Sequence, residues 1–227
     1  MRFVKTASAL AGLTVALLSS CSSTGLADLG KKAVTPAHTT WQAQSTGKNL
    51  PAEADLSLLS TTESYGKDKH GMPTYPDTVT HRVVRATAYS HMQNEPGAPG
   101  RMNAAGGILK YGNDVRSAAA DWSKYPVGTK FRIKGLPHLY VVDDYGSALA
   151  NTNTIDIFHP TLGGIKKWGL RTIEIDIVQW GSWERTLTLL KGRQSHWHCR
   201  DMYANARKKI DGGYAAAGFS NPYAPQG

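Results

Sequence analysis

Cysteine is nearly absent: Cys21 and Cys199 are the only two in a chain of 227 residues. With Cys21 committed elsewhere, as argued below, Cys199 has no partner and no intrachain disulfide is available. Long apolar runs are missing as well. The apolar stretch at residues 9–18 is too short to remain as a membrane span. Acidic residues are absent from residues 1–20, and no internal repeat or long low-complexity tract interrupts the rest. What remains fits one compact domain of about 100 to 130 residues behind a polar leader.

That leader has recognisable chemistry. Arg2 and Lys5 precede the short apolar run, and Leu18-Ser19-Ser20 precedes Cys21. A basic region followed by a short apolar one makes residues 1–20 a secretory signal. The L-S-S-C ending resembles the bacterial lipobox, which implies that Cys21 becomes the lipid-modified first residue of the mature protein, held to a membrane by its acyl chains. A simple signal peptide with an incidental cysteine is the alternative. Ser22 at the next position resembles lipoproteins sent to an outer membrane, so the expected location is the cell envelope, on the outer membrane facing the periplasm.

Residues 21–80 are rich in Ser, Thr, Lys, Gly and Pro and poor in apolar clusters, the composition of a flexible tether. The formal net charge is +9, and removing residues 1–20 takes away two basic groups, leaving +7. A basic exported protein suits an anionic partner such as peptidoglycan or lipid head groups; nucleic acid is not expected there. Scattered positive charge that serves only solubility would look the same. His196, His198 and Cys199 invite a zinc reading, but structural zinc sites use four ligands in separated pairs, so no metal or cofactor is expected.

Within residues 81–180 the pattern is that of strands. Val83 and Val84 lead into A-T-A-Y-S, Phe131 and Ile133 alternate with Lys130, Arg132 and Lys134, and Ile173, Ile175 and Ile177 enclose Glu174 and Asp176. Residues 91–113 hold five glycines and read as a loop that turns tightly or lets something approach. In the C-terminal extension, 181–227, Trp183, Leu187, Leu189 and Leu190 suggest a last strand or strap. A basic helix is expected over 198–210, closed by Asp211-Gly212-Gly213, with a loose tail from Tyr214. Trp180, Trp183 and Trp197 read either as packing or as sugar-stacking platforms.

The most informative stretch is residues 139–158, where two strand-like runs flank a turn-rich loop and each carries a carboxylate. This brings Asp143 or Asp144 near Asp156, on strands that hold side chains firmly. Asp143, Asp144 and Asn151 are also ordinary turn formers. Alternation puts Asp156 on the side shared with Phe158, where desolvation would raise its pKa. Asp176, in a second I-D-I triplet, has no adjoining carboxylate loop and reads as a solvated strand-face charge.

Six pieces in fixed order extend the argument: A-T-A-Y-S at 86–90, A-A-D at 119–121, P-V-G-T-K-F-R-I at 126–133, D-Y-G at 144–146, I-D-I-F at 155–158 and W-G-L-R-T-I-E-I at 168–175. Over residues 84–178 the chain resembles the 3D domain, named for three aspartates and found in cell-wall-active proteins and in membrane-bound lytic transglycosylase A. The resemblance implies a mainly β fold, a double-psi β-barrel, with Asp121, Asp144 and Asp156 as the three aspartates. It implies Asp156 as a single acid and base and Asp144 as its partner in catalysis. Asp121, Thr87, Tyr89, Tyr145 and Gly146 would line the site, and peptidoglycan glycan strands would be the substrate.

Two departures stand out. Where similar sequences carry G-A-I-K-G after D-Y-G, this chain has Ser147-Ala148-Leu149-Ala150-Asn151, so a conformation that needed glycine must change there. The second domain of the transglycosylase is also missing. Three functions therefore stay open from sequence: a lytic transglycosylase, a non-catalytic wall-binding module similar to expansins, and a purely structural envelope lipoprotein.

Overall fold

The computed structural model describes residues 50–51, 53–54, 64–93 and 100–216. The expected signal sequence at residues 1–20, Cys21, Ser22 and the last eleven residues lie outside them. Eight strands and three helices follow in order: β1 Gly66–Lys67, β2 Pro73–Thr74, β3 His81–Tyr89, β4 Val115–Ala119, β5 Lys130–Ile133, β6 Leu139–Asp144, β7 Thr154–Phe158, α1 Leu162–Trp168, β8 Arg171–Gln179, α2 Trp183–Lys191 and α3 Trp197–Ala216.

β1 and β2 form a small antiparallel hairpin, and the other six strands close into an uneven ring in the order β3-β7-β4-β6-β5-β8. Two pairs are parallel, β3 with β7 and β4 with β6; the remaining four are antiparallel. The unevenness is sharpest between β4 and β7, which share only the pairs Ala118 with Ile157 and Ala119 with Asp156. Closure gives each of these six strands a neighbour on both sides, so the ring has no open edge of the kind a small sheet must otherwise protect.

Alternation fills the ring. Val84 and Ala86 of β3, Phe131 and Ile133 of β5, Tyr140 and Val142 of β6, Ile155 and Ile157 of β7, and Ile173 and Ile175 of β8 are all buried. Each large aliphatic or aromatic side chain removed from water stabilises the fold by about 1.5–3 kcal/mol. Arg82 is buried too, at 2 % exposure. Its guanidinium donates to the carbonyls of Val79 and Pro76, both at 2.8 Å, and is boxed by the rings of Tyr75, Tyr125 and Trp180. A buried charge needs such partners.

The segment expected to be a tether is not free along its whole length. Residues 64–80 pack on the ring, with Met72 and Tyr75 buried, and Ala54 and Met72 cluster against Val83. Asp68 pins the hairpin, accepting from His70 N and Met72 N and from Asn153 N at the start of β7. Apart from residues 50, 51 and 53, the rest of that segment lies outside the described residues.

Residues 183–191 are a helix rather than a strand or strap. Trp183, Leu187 and Leu190 fall at helical spacing, and the Ser182 hydroxyl caps the first turn by accepting from Arg185 N at 3.0 Å. α3 also passes through Gly212 and Gly213 instead of ending at them. Burial of Ala206 and Ile210 and the Arg207–Asp211 pair hold the turns just before the glycines, which offsets their cost of about 1 kcal/mol each. Leu190, Cys199 and Met202 join the ring's own core, so both helices are packed parts of the fold. Among the described residues, no helix is long and apolar enough to cross a membrane.

Candidate active site

Ala119 sits at the centre of the site. It is the register partner of Asp144 on one side, across the β4–β6 pair, and of Asp156 on the other, across the β4–β7 pair. A register shift between Ala118 and Ala119 brings Asp144 into that position, and such irregularities re-aim a side chain where a regular ladder would not. Asp144 and Asp156 therefore stand two strand spacings apart, about 10 Å between backbones, with one methyl group between them.

Both carboxylates line one open cavity of about 970 Å³. Arg85, Thr87 and Tyr89 enter it from alternate positions of β3, Asn103 and Ala104 from the glycine-bearing loop, and Tyr145 to Leu149 from the turn after β6. The Thr87 hydroxyl donates to Asp156 Oδ1 at 2.7 Å. The Tyr89 hydroxyl donates to Asp144 Oδ2 at 2.9 Å, while Ala104 N and Tyr145 N donate to Asp144 Oδ1 at 3.1 and 3.0 Å. Asp144 is thus held by three donors and Asp156 by one.

The electrostatics follow from this asymmetry. Burial pushes the Asp156 carboxyl up to about 6; the Thr87 bond and the Arg85 charge pull it down, and the Asp144 charge adds a push upward. Burial also raises Asp144, but its bonds from Tyr89, Ala104 and Tyr145 work against the rise. Burial raises the Tyr89 phenol, helped by the Asp144 charge, so it stays a proton donor to that carboxylate. The arrangement holds one fixed carboxylate beside one that changes protonation close to neutrality.

The remaining expected site residues are placed as follows. Tyr145 and Gly146 line the cavity. Asp121 does not: it is 1 % exposed, and its oxygens accept from Ser123 N and Oγ at 2.8 and 2.6 Å and from Asn151 N at 2.6 Å. Its carboxylate ties the start of one loop to the end of another. Asp143 points elsewhere too, paired with Lys110 at 2.9 Å and accepting from Ser117. Asp176 lies on the outer face of β8, where His81 Nδ1 meets it at 2.8 Å.

Asn151 adopts φ 62, the one non-glycine in the left-handed region among the described residues. Asn tolerates that region better than most side chains, so the loop can hold a left-handed turn without glycine at this position. Cys199 is fully buried, and among the described residues no group of three or more His, Cys, Asp or Glu could hold a metal ion. Among the described residues, no tryptophan lines the cavity.

Sequence reading missed four basic groups on the cavity wall: Lys69, His70, Arg85 and Arg193. Arg85 was legible, since R-A-T-A-Y puts Arg85, Thr87 and Tyr89 on one face of a strand. The others reach the site only through the hairpin turn and the loop between α2 and α3, which carry no local signal.

Residues 116–179 match the family model of the 3D domain. The chain carries a 3D domain. The match runs from β4 to the end of β8 and so includes Asp121, Asp144 and Asp156, while the β3 donors Thr87 and Tyr89 precede it. The chain is also similar to the "Putative cell wall shaping protein YabE" of Bacillus subtilis (strain 168), 28% identical over 99 residues. That similarity covers 44% of this chain and 24% of the relative, so the chain spans about a quarter of the relative's length.

Proposed function

We propose that this protein is a lytic transglycosylase that cleaves the glycosidic bond between N-acetylmuramic acid and N-acetylglucosamine in peptidoglycan. The observation that carries this reading is the Asp156 carboxyl, raised to about 6 in an open cavity that it shares with Asp144. A glycosidic oxygen needs a proton to leave, and an ordinary aspartate is almost wholly ionised near neutrality. With a pKa of about 6, roughly half of Asp156 is protonated at pH 6 and about a tenth at pH 7.

Asp156 gives its proton to the leaving oxygen as the bond to the muramoyl C1 breaks. The carboxylate so formed takes the proton of the muramoyl C6 hydroxyl, and that oxygen closes on C1. The product is a 1,6-anhydromuramoyl end, with no water consumed and Asp156 returned to its acid form. Asp144, fixed by Tyr89 and two backbone amides, supplies a negative charge that favours the protonated state of its neighbour and the positive charge developing at C1. One carboxyl serves both steps, so the two-carboxylate separation rule of ordinary glycosidases does not apply.

Support from comparison is coarser. The 3D domain and the wall-shaping relative favour a cell-wall role, and the two parallel pairs in a closed ring favour a double-psi β-barrel. A crystal structure with either pair antiparallel would overturn the barrel assignment. A wall-binding module finds less support, because Trp180, Trp183 and Trp197 are not among the residues that line the cavity.

The test is mass spectrometry of muropeptides after incubating the protein with sacculi. Wild type yields anhydromuropeptides, Asp156→Asn loses them by at least about 10² to 10⁴ in rate, and Asp176→Asn retains them. Wild type that binds sacculi without anhydro products, with Asp156→Asn binding equally well, makes the protein a binding module instead.

Anchoring through Cys21 in an outer membrane, facing the periplasm, belongs to the same proposal and rests on the L-S-S-C ending. Cys21→Ala moves the protein from the membrane fraction to the soluble one. Unchanged fractionation of that variant removes the lipid anchor from the reading.

A further inference from the structure

The cavity wall carries more positive charge than its two carboxylates answer. Arg85, on β3 beside Thr87, donates through Nη1 to the Thr154 hydroxyl at 3.4 Å. Its charge is felt by Asp156, but no carboxylate among the described residues lies within ion-pair distance of Arg85, Lys69 or Arg193. Lys110, Lys134 and Lys209, by contrast, do have carboxylate partners, in Asp143, Glu174 and Asp77.

The placement of these groups is built. Asp68 accepts from His70 N, Met72 N and Asn153 N, which locks the turn bearing Lys69 and His70 against the start of β7. Arg85 N donates to Asn153 O, and Arg85 is the register partner of Thr154. The hairpin turn and Arg85 therefore meet at the same two residues, 153 and 154, which gathers Lys69, His70 and Arg85 at one end of the cavity. Arg193 stands apart, over the Tyr145 ring at 5.7 Å. Among the described residues, Arg85 makes one long bond to a neutral hydroxyl; a guanidinium so placed, lining the same cavity as an ammonium, is a receptor for a planar carboxylate.

We infer that Arg85 and Lys69 form a carboxylate subsite that selects glycan strands by the acidic substituent on the muramoyl ring. The inference rests on the transglycosylase reading only for the identity of the strand. Two sources carry the required chemistry: the lactyl carboxylate of a strand stripped of peptide, and the carboxylates of an attached stem peptide. Occupation also has a consequence for Asp156, since an anion on Arg85 cancels the charge that now pulls that carboxyl down. The right substrate then helps to protonate the group that cleaves it.

The experiment measures dissociation constants of the full chain carrying Asp156→Asn for three soluble ligands of matched length. Chitooligosaccharide has no acidic substituent, amidase-stripped glycan has the lactyl carboxylate, and intact glycan has the stem peptide. The expected result is at least about tenfold tighter binding of one or both acidic strands than of chitooligosaccharide at low salt. Arg85→Gln erases that preference while changing chitooligosaccharide affinity less than about twofold, and Arg85→Lys restores part of it. Lys69→Gln, in an exposed turn, reproduces the loss should Arg85→Gln fail to fold. Tighter binding of stripped glycan names the lactyl group as the ligand; tighter binding of intact glycan alone names the peptide.

Equal affinity for all three ligands overturns the inference, as does an Arg85→Gln loss that is the same for all three. Because the readout is binding, an acidic preference without any anhydro product from wild type leaves the subsite standing and removes only the transglycosylase reading.

Discussion

Thr87 and Asp156 face each other as register partners across the parallel β3–β7 pair, and the Thr87 hydroxyl donates to Asp156 Oδ1 at 2.7 Å. A bond donated to a carboxylate favours its ionised form, so Thr87 works against the burial that raises Asp156. Thr87→Val keeps the shape and removes the donor. The Asp156 pKa should then rise above its value of about 6, and the limb of the pH–rate profile on which activity falls with rising pH should move up by about one unit. Thr87→Ser should stay near wild type. A profile unmoved by Thr87→Val means that this bond does not bear on the titrating state.

The same burial has a cost in stability. Asp156 has a folded pKa of about 6 against an ordinary 3.8, so the folded state binds the proton more tightly than the unfolded state does. Its contribution to stability is present in full below pH 3.8 and is lost as pH rises through about 6. The loss is at most about 3 kcal/mol. Asp156→Asn cannot ionise and escapes the loss, so denaturant unfolding should find the variant more stable than wild type at pH 8 and the gap closed at pH 4. A gap independent of pH assigns the difference to packing instead.

What could be read from the residues was local. Phe131 and Ile133, Ile155 and Ile157, and Ile173 to Ile177 announced their strands because one face of each is buried and the other is not. The pairing of Asp144 with Asp156 through Ala119 was legible only as a nearness of two loop-flanking carboxylates. Strand order in a ring depends on contacts far apart in the chain, and the shift at Ala119 has no sequence signature. α2 was misread although Ser182, Trp183, Leu187 and Leu190 spell a capped amphipathic helix, because Leu189 and Leu190 together also look like a strand end. Asp121 resembled a site residue by its motif, and its burial among Ser123 and Asn151 donors could not be seen before the loops were in place.

Asp121 should accordingly behave as a structural residue. Asp121→Ala leaves Ser123 N and Ser123 Oγ without their acceptor in a buried setting and Asn151 N without its acceptor in a half-buried one, at a cost of about 3 kcal/mol. Asn151 would also lose the bond that helps to hold it at φ 62. Thermal melts should show a clear drop in Tm, while the pH–rate profile per folded molecule should keep the position of wild type. A full-strength fold with a displaced profile would make Asp121 part of the acid and base machinery after all.

Gly181 tests how α2 is attached to the ring. A methyl group built there would sit 2.3 Å from the carbonyl oxygens of Pro126 and Val127 and 2.6 Å from Thr129 N. All three obstacles are backbone atoms of the turn leading into β5, and none can swing aside as a side chain would. The native contact is close because Gly181 N donates to Thr129 Oγ1 at 3.1 Å and Ser182 N to Val127 O at 3.0 Å. Gly181→Ala must therefore separate the turn from the N-terminus of α2, breaking both bonds and loosening Leu187 and Leu190 from their packing. Overpacking of this kind costs typically about 1–3 kcal/mol, and the rigid surroundings put this site at the upper end or beyond. Hydrogen exchange should find amides of residues 183–191 opening far more often in Gly181→Ala, with those of β3 and β7 changed less. Equal protection of α2 in the two proteins would mean that the turn gives way more easily than its backbone hydrogen bonds imply.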